Sequence, residues 1–126
     1  MAERILFLDD NPERAKAAKR ALLCTHVATA AECIEALKHA EWDAVYLDHD
    51  LGGGPDGDAA TTADARGMTG MDVVRWLCKE PGRGETRMIV HSLNPIAAAQ
   101  MFEELSNAGF EVSRVPFTKL LEMWKA

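Results

Sequence analysis

Short runs of apolar residues alternate along this chain with longer stretches whose apolar positions recur every three or four residues. Ile5-Leu6-Phe7-Leu8 is an unbroken apolar run that ends at Asp9-Asp10-Asn11-Pro12. Such a run, short and flanked by turn residues, predicts a strand buried on both faces. Pro12 suits the first position of a helix capped by Asp10 or Asn11, and that helix continues from Ala15 to Leu23. Thr25 to Ala28 predicts a weak second strand. Thr29 with Glu32 is a capping-box pattern, opening a helix to about Ala40 with Cys33, Ile34 and Leu37 on one face. Trp42-Asp43 reads as a turn.

Ala44-Val45-Tyr46-Leu47 predicts a third strand, ending at Asp48. An irregular stretch from His49 to Thr69 follows. A helix resumes from Gly70 to Cys78 and is stopped by Glu80-Pro81-Gly82. Met88-Ile89-Val90 predicts a fourth strand, ending at His91-Ser92. Pro95 starts a helix to about Asn107, which Gly109 terminates. Glu111 to Val115 predicts a fifth strand, broken by Pro116, and Phe117 to Trp124 a last helix.

Five strands alternating with five helices predict an α/β fold, a parallel sheet with helices on both faces. In such sheets ligands bind beyond the carboxyl ends of the strands. Asp9, Asp10, Asp48, His91 and Ser92 all fall at those ends.

Composition narrows the picture. At 126 residues, with 48% hydrophobic residues, the chain fits one domain over 1–126 with a core of its own. A net charge of −6 argues against a broad basic surface for nucleic acid. Cys24, Cys33 and Cys78 form no CxxC and leave an odd thiol, so a disulfide framework and structural zinc both fit badly. Free thiols in the cytoplasm are expected. No signal peptide or membrane span is expected at the N-terminus. Trp42, Trp76 and Trp124, and Met68, Met71, Met88, Met101 and Met123, read as packing residues, and His26 and His39 as surface residues.

Asp9, Asp10 and Asp48 converge if the first and third strands are neighbours. Three carboxylates in one place repel unless a cation joins them. Short oxygen ligands suit Mg²⁺, or Mn²⁺, and the backbone carbonyl of Asp50 is a further candidate oxygen. The plainer alternative makes Asp9-Asp10 a helix cap and Asp48 a turn residue.

On these residues the chain resembles the receiver domains of two-component response regulators over nearly its whole length. The matching segments are Ile5-Leu6-Phe7-Leu8-Asp9-Asp10, Val45-Tyr46-Leu47-Asp48-His49-Asp50-Leu51, Thr69-Gly70-Met71-Asp72, Val90-His91-Ser92 and Val115-Pro116-Phe117. The resemblance implies a flavodoxin-like three-layer sandwich with strand order 2-1-3-4-5. It also implies Mg²⁺ on the acidic pair, a phosphoryl acceptor at Asp48 and a phosphate contact at Ser92.

Three departures stand out. The lysine that the family places before its proline is Val115 here, and strand alternation turns the adjacent Arg114 to the other face. The loop after Asp48 is long. Two histidines, His49 and His91, flank the site. The Asp48-His49-Asp50-Leu51-Gly52 and His91-Ser92 motifs resemble a subgroup, the cyclic-phosphate-processing receiver domains.

Opening a cyclic phosphodiester needs a base for water and an acid for the leaving alkoxide. Imidazole serves either role near neutral pH. His49, His91, Asp48 and Ser92 are therefore the candidate catalytic residues, with Ser92 and Arg66 as phosphate contacts. The plainer alternative has His49 facing solvent and His91 packed under a helix. In the 52–67 loop, glycines let backbone amides approach a phosphate, and Arg66 is the one cation. The expected function is Mg²⁺-dependent processing of a cyclic phosphate or related phosphoester, as by a cyclic phosphodiesterase or phosphohydrolase. The alternative is a stand-alone receiver phosphorylated on Asp48 by a histidine kinase and signalling to a partner protein.

Overall fold

Alternation inside the first strand decides how the molecule is layered. In a computed structural model of the chain, which describes residues 3–51, 68–80 and 85–125, β1 (Ile5–Leu8) is an interior strand of the sheet and is wholly buried. Leu6 and Leu8 project to one face and join the larger apolar cluster, with Cys33 and Leu37, Val73, Val74 and Leu77, and Met101 and Leu105. Phe7 projects to the other face and packs with Ala18, Phe117 and Leu120. A strand covered on both sides has no polar alternation, which is why it reads as a continuous apolar run. Each fully buried Leu or Phe contributes about 1.5–3 kcal/mol through burial alone.

The element order is β1, α1 (Pro12–Ala21), β2 (Cys24–Val27), α2 (Ala30–His39), β3 (Ala44–Leu47), α3 (Gly70–Lys79), β4 (Arg87–Val90), α4 (Pro95–Asn107), β5 (Val112–Arg114) and α5 (Phe117–Lys125). All strand pairs are parallel and the order is β2-β1-β3-β4-β5. Helices α1 and α5 supply the Phe7 side, and α2, α3 and α4 the other. The expected fold class and strand order are therefore found.

Local signals set the helix starts. Asn11, not Asp10, caps α1, accepting from the amides of Glu13 and Arg14, with Pro12 at the first helical position. Thr29 and Glu32 form the expected capping box. A second box, Thr69 with Asp72, opens α3; its N3 residue is Asp rather than Glu, and the sequence reading did not pick it out. Helix α1 stops at Ala21, two residues short of expectation, because Leu22 turns extended and the β2 register begins at Cys24 opposite Ile5. Leu23 is left 83% exposed.

Two packing expectations are corrected. Met123 is 55% exposed, on the outer side of α5. His26 is half-buried rather than superficial, and its Nε2–H donates to the Asp9 carbonyl at 2.7 Å. His39 is exposed and pairs with Glu35. Among the described residues no helix is long and apolar enough to cross a membrane.

Candidate functional site

The β1–β3 pairing sets Leu8 beside Leu47, so Asp9 and Asp48 leave the sheet side by side at its carboxyl edge. Asp10 follows Asp9, and one carboxylate oxygen from each of Asp9, Asp10 and Asp48 lies within 4.8 Å of the others. Asp9 is fully buried, Asp48 nearly so, and Asp10 half-buried. Each buried Asp has one oxygen engaged by backbone. Asp9 Oδ1 accepts from the Asn11 amide at 2.9 Å, and Asp48 Oδ1 from the His49 amide at 2.9 Å. The second oxygens, Asp9 Oδ2 and Asp48 Oδ2, are buried without an aligned hydrogen bond.

The electrostatics follow. Burial first, and then the neighbouring Asp9, push the Asp48 carboxyl up to about 7, with Arg14 and the His49 amide opposing. Burial likewise raises Asp9, opposed by the Asn11 amide and Arg14. Buried, mutually repelling oxygens with no aligned hydrogen-bond donor fit a hard divalent cation. The donor set is all oxygen, on short side chains, as Mg²⁺ or Mn²⁺ prefers. Asp9, Asp10 and Asp48 would hold it.

The other expected residues take different positions. His49 is mostly covered, and its Nδ1–H donates to Asp50 Oδ1 at 2.7 Å. One oxygen of the Asp50 carboxylate is thus engaged with an imidazole, and the carboxylate cluster is formed by Asp9, Asp10 and Asp48 without it. His91 lies beneath the aspartates. It is fully buried, stacked on Phe7 at 4.8 Å between ring centroids, and its Nε2–H donates to the Leu8 carbonyl at 3.1 Å. Its bare Nδ1 faces Asp9 Oδ2 at 3.8 Å, too far for a hydrogen bond. Burial pushes the His91 imidazole down to about 4. Ser92 is buried at the end of β4, with Oγ accepting from the Asn94 amide at 3.1 Å. Arg66 and the rest of the 52–67 loop lie outside the described residues.

Val115 packs against the Phe7 cluster, so the slot before Pro116 is apolar. Arg114 reaches the Pro95 carbonyl at 3.5 Å and makes no ion pair with Asp9 or Asp48. There it borders a cavity of about 430 Å³, with Val90, Ser92, Leu93 and Pro116.

Arg14 was missed by the sequence reading. Its Nε lies 3.1 Å from Asp9 Oδ2 and its Nη2 3.7 Å from Asp48 Oδ2, while the guanidinium carbon sits 5.7 Å from the Phe117 ring centroid. A signal was available: helical side chains lean toward the N-terminus, and position 14 is in the first turn after Asp9-Asp10. Gly70 lies in the Thr69-Gly70-Met71-Asp72 segment. A Cβ there would overlap the Asp48 carbonyl oxygen, so the start of α3 can close on the end of β3 only with glycine at this position.

A family model described as the cyclic-phosphate processing receiver domain matches residues 4–107. No curated protein matches the chain. Among solved structures, a CheY-like response regulator receiver domain from Methanospirillum hungatei JF-1 superposes with a TM-score of 0.66 at 20% identity, over 99% of this chain and 92% of that one. A CheY-like receiver domain from Methylobacillus flagellatus gives 0.63 at 15% identity, over 99% and 98%. A response regulator from Burkholderia pseudomallei, with a phosphorylated aspartic acid, calcium ion and citrate, gives 0.60 at 16% identity, over 90% and 59%.

Proposed function

The chain belongs to the cyclic-phosphate processing receiver domain family, and from that premise we propose that it opens or hydrolyses a small cyclic phosphate, or a related phosphoester, at the aspartate pocket. The observation that carries this reading is the pair of buried, unbonded oxygens, Asp9 Oδ2 and Asp48 Oδ2, in a three-carboxylate cluster. Mg²⁺ or Mn²⁺ bound there would supply Lewis-acid polarisation of the phosphate.

The remaining chemistry belongs to side chains of the chain. His49 is the acid–base group. Asp50 holds its Nδ1–H, so Nε2 is the nitrogen presented to substrate. It takes a proton as the water oxygen bonds to phosphorus, and returns one to the alkoxide as the ring P–O bond breaks. The Ser92 hydroxyl, whose Oγ accepts only from the Asn94 amide among the described residues, donates to a phosphate oxygen. His91, expected as a catalytic residue, is instead fully buried with its Nε2–H held by the Leu8 carbonyl, and packs beneath the pocket without reaching substrate. The three free thiols suit a reducing compartment such as the cytoplasm.

A second reading keeps Asp48 as a phosphoryl acceptor. Its support is the unbonded Oδ2 at the end of β3, together with the phosphorylated aspartic acid of the Burkholderia pseudomallei regulator. A histidine kinase and a partner protein would then replace the small substrate.

One experiment separates the two. The protein with Mg²⁺ is incubated with a small acyl phosphate and, separately, with a panel of cyclic phosphates. Turnover of a cyclic phosphate that is lost in His49→Ala supports processing. A stable phosphoryl adduct on Asp48 with no cyclic-phosphate turnover would overturn it in favour of signalling.

A further inference from the structure

We propose that Arg14 supplies the positive charge that meets the phosphoryl group, delivered from α1 instead of from the apolar slot at Val115. The inference rests on the reading of this pocket as a phosphate site.

Three observations converge on it. Among the described residues, Arg14 is the only Lys or Arg within 4 Å of Asp9 or Asp48. The neighbouring candidates are accounted for elsewhere, since Val115 packs in the Phe7 cluster and Arg114 reaches the Pro95 carbonyl. Arg14 is also placed without being saturated. Its Nε is 3.1 Å from Asp9 Oδ2, yet this buried N–H has no acceptor in line. The Phe117 ring lies 5.7 Å from the guanidinium carbon, a contact to the face of the ring that uses none of the guanidinium's in-plane donors.

The carboxylate oxygens that Arg14 neutralises are those a divalent cation would take. Arg14 and the cation therefore share Asp9 Oδ2 and Asp48 Oδ2 as partners. With the carboxylates committed to the cation, the guanidinium's parallel N–H donors are left for an anion, and two phosphate oxygens match their spacing. Position 14 is the third residue of α1, where the positive end of the helix dipole adds to the same field.

The test uses inorganic phosphate as the probe, with binding followed by ³¹P NMR at saturating Mg²⁺, and calorimetric Mg²⁺ titration without phosphate as the control. Arg14→Gln is expected to weaken phosphate binding about ten-fold or more, with Mg²⁺ affinity unchanged or tighter. Arg14→Lys keeps the charge but not the paired donors, and loses several-fold less. If Arg14→Gln fails to fold, Arg14→Met carries the test: a loss of phosphate affinity of about ten-fold or more at unchanged Mg²⁺ affinity supports the role, and wild-type affinity overturns it. The proposal is also overturned if wild-type protein binds no phosphate, if a folded Arg14→Gln binds it within two-fold of wild type, or if Mg²⁺ and phosphate affinities fall together. Arg14-dependent phosphate binding without turnover of any cyclic phosphate would sink the processing reading and leave this one standing.

Discussion

Asp48 is held in a setting that disfavours its charge, with burial and Asp9 outweighing Arg14 and the His49 amide. Asparagine has the same shape without that charge. Asp48→Asn is therefore expected to raise the metal-free melting temperature by several degrees, on the order of 1–3 kcal/mol. It also removes a cation ligand, so added Mg²⁺ should raise the wild-type melting temperature and leave the variant's unchanged. Scanning calorimetry with Mg²⁺ and with a chelator reads both effects; a metal-free Asp48→Asn that melts below wild type would mean the buried charge is stabilising. The two histidines should separate in the same instrument. His91→Ala removes a fully buried ring stacked on Phe7 and leaves the Leu8 carbonyl unbonded, costing about 2–4 kcal/mol. His49→Ala lies at the rim and should cost under about 1 kcal/mol. If His49 is the acid–base group, its loss should lower cyclic-phosphate turnover by about 10²–10⁴ without a matching loss of stability.

Between elements, the start of α3 closes tightly on the end of β3. Gly70→Ala places a methyl group where the Asp48 carbonyl oxygen lies, so strand end or helix must move. We expect a loss of about 1–3 kcal/mol, together with weaker Mg²⁺ binding because Asp48 shifts with its backbone. Thr69→Ala, which removes only the cap accepting from the Met71 amide, should cost about 1 kcal/mol and leave Mg²⁺ affinity unchanged. Urea unfolding with Mg²⁺ titration distinguishes the pair; equal Mg²⁺ affinity in both variants would show that the junction does not position the site. The elements themselves were legible because the buried strands β1 and β3 are apolar runs and helices α1 and α2 carry their caps in sequence, at Asn11-Pro12 and Thr29–Glu32. Their ends were less so. The stop of α1 at Ala21 follows from β2 pairing with β1, a contact between segments that no local pattern encodes. The aspartates were legible because strand ends share one edge of a parallel sheet. Arg14 and His26 were not, since each reaches the site through a side-chain direction, and lone charged or polar residues on surface elements read as solvated. His91 has its placement decided by the packing of Phe7 and Phe117 around it, which again only the assembled fold supplies.

Over the whole molecule, the cysteines report how the acidic edge is coupled to the core. Cys78 is exposed on α3, Cys24 is half-buried in β2, and Cys33 is fully buried in α2 against the larger cluster. Burial pushes the Cys33 thiol up to about 12 and removes it from reagent access. A small alkylating reagent at neutral pH should therefore modify Cys78 first and Cys33 last, the latter only through opening of the fold. Cation binding at Asp9, Asp10 and Asp48 adds its binding free energy to the stability of the closed state. If Cys33 becomes reactive only when the whole domain opens, Mg²⁺ at about 100 times its dissociation constant should slow Cys33 modification about 100-fold. Cys78 modification should be unaffected, since that thiol needs no opening. Mass spectrometry of timed alkylation at several Mg²⁺ concentrations measures both rates. A Cys33 rate insensitive to Mg²⁺ would mean that α2 detaches from β1 while Asp9 and Asp48 stay together, so that the helix and the site belong to separate cooperative units. The packing opposes that outcome: Cys33 and Leu37 close over Leu6 and Leu8, the residues that carry the chain directly into Asp9.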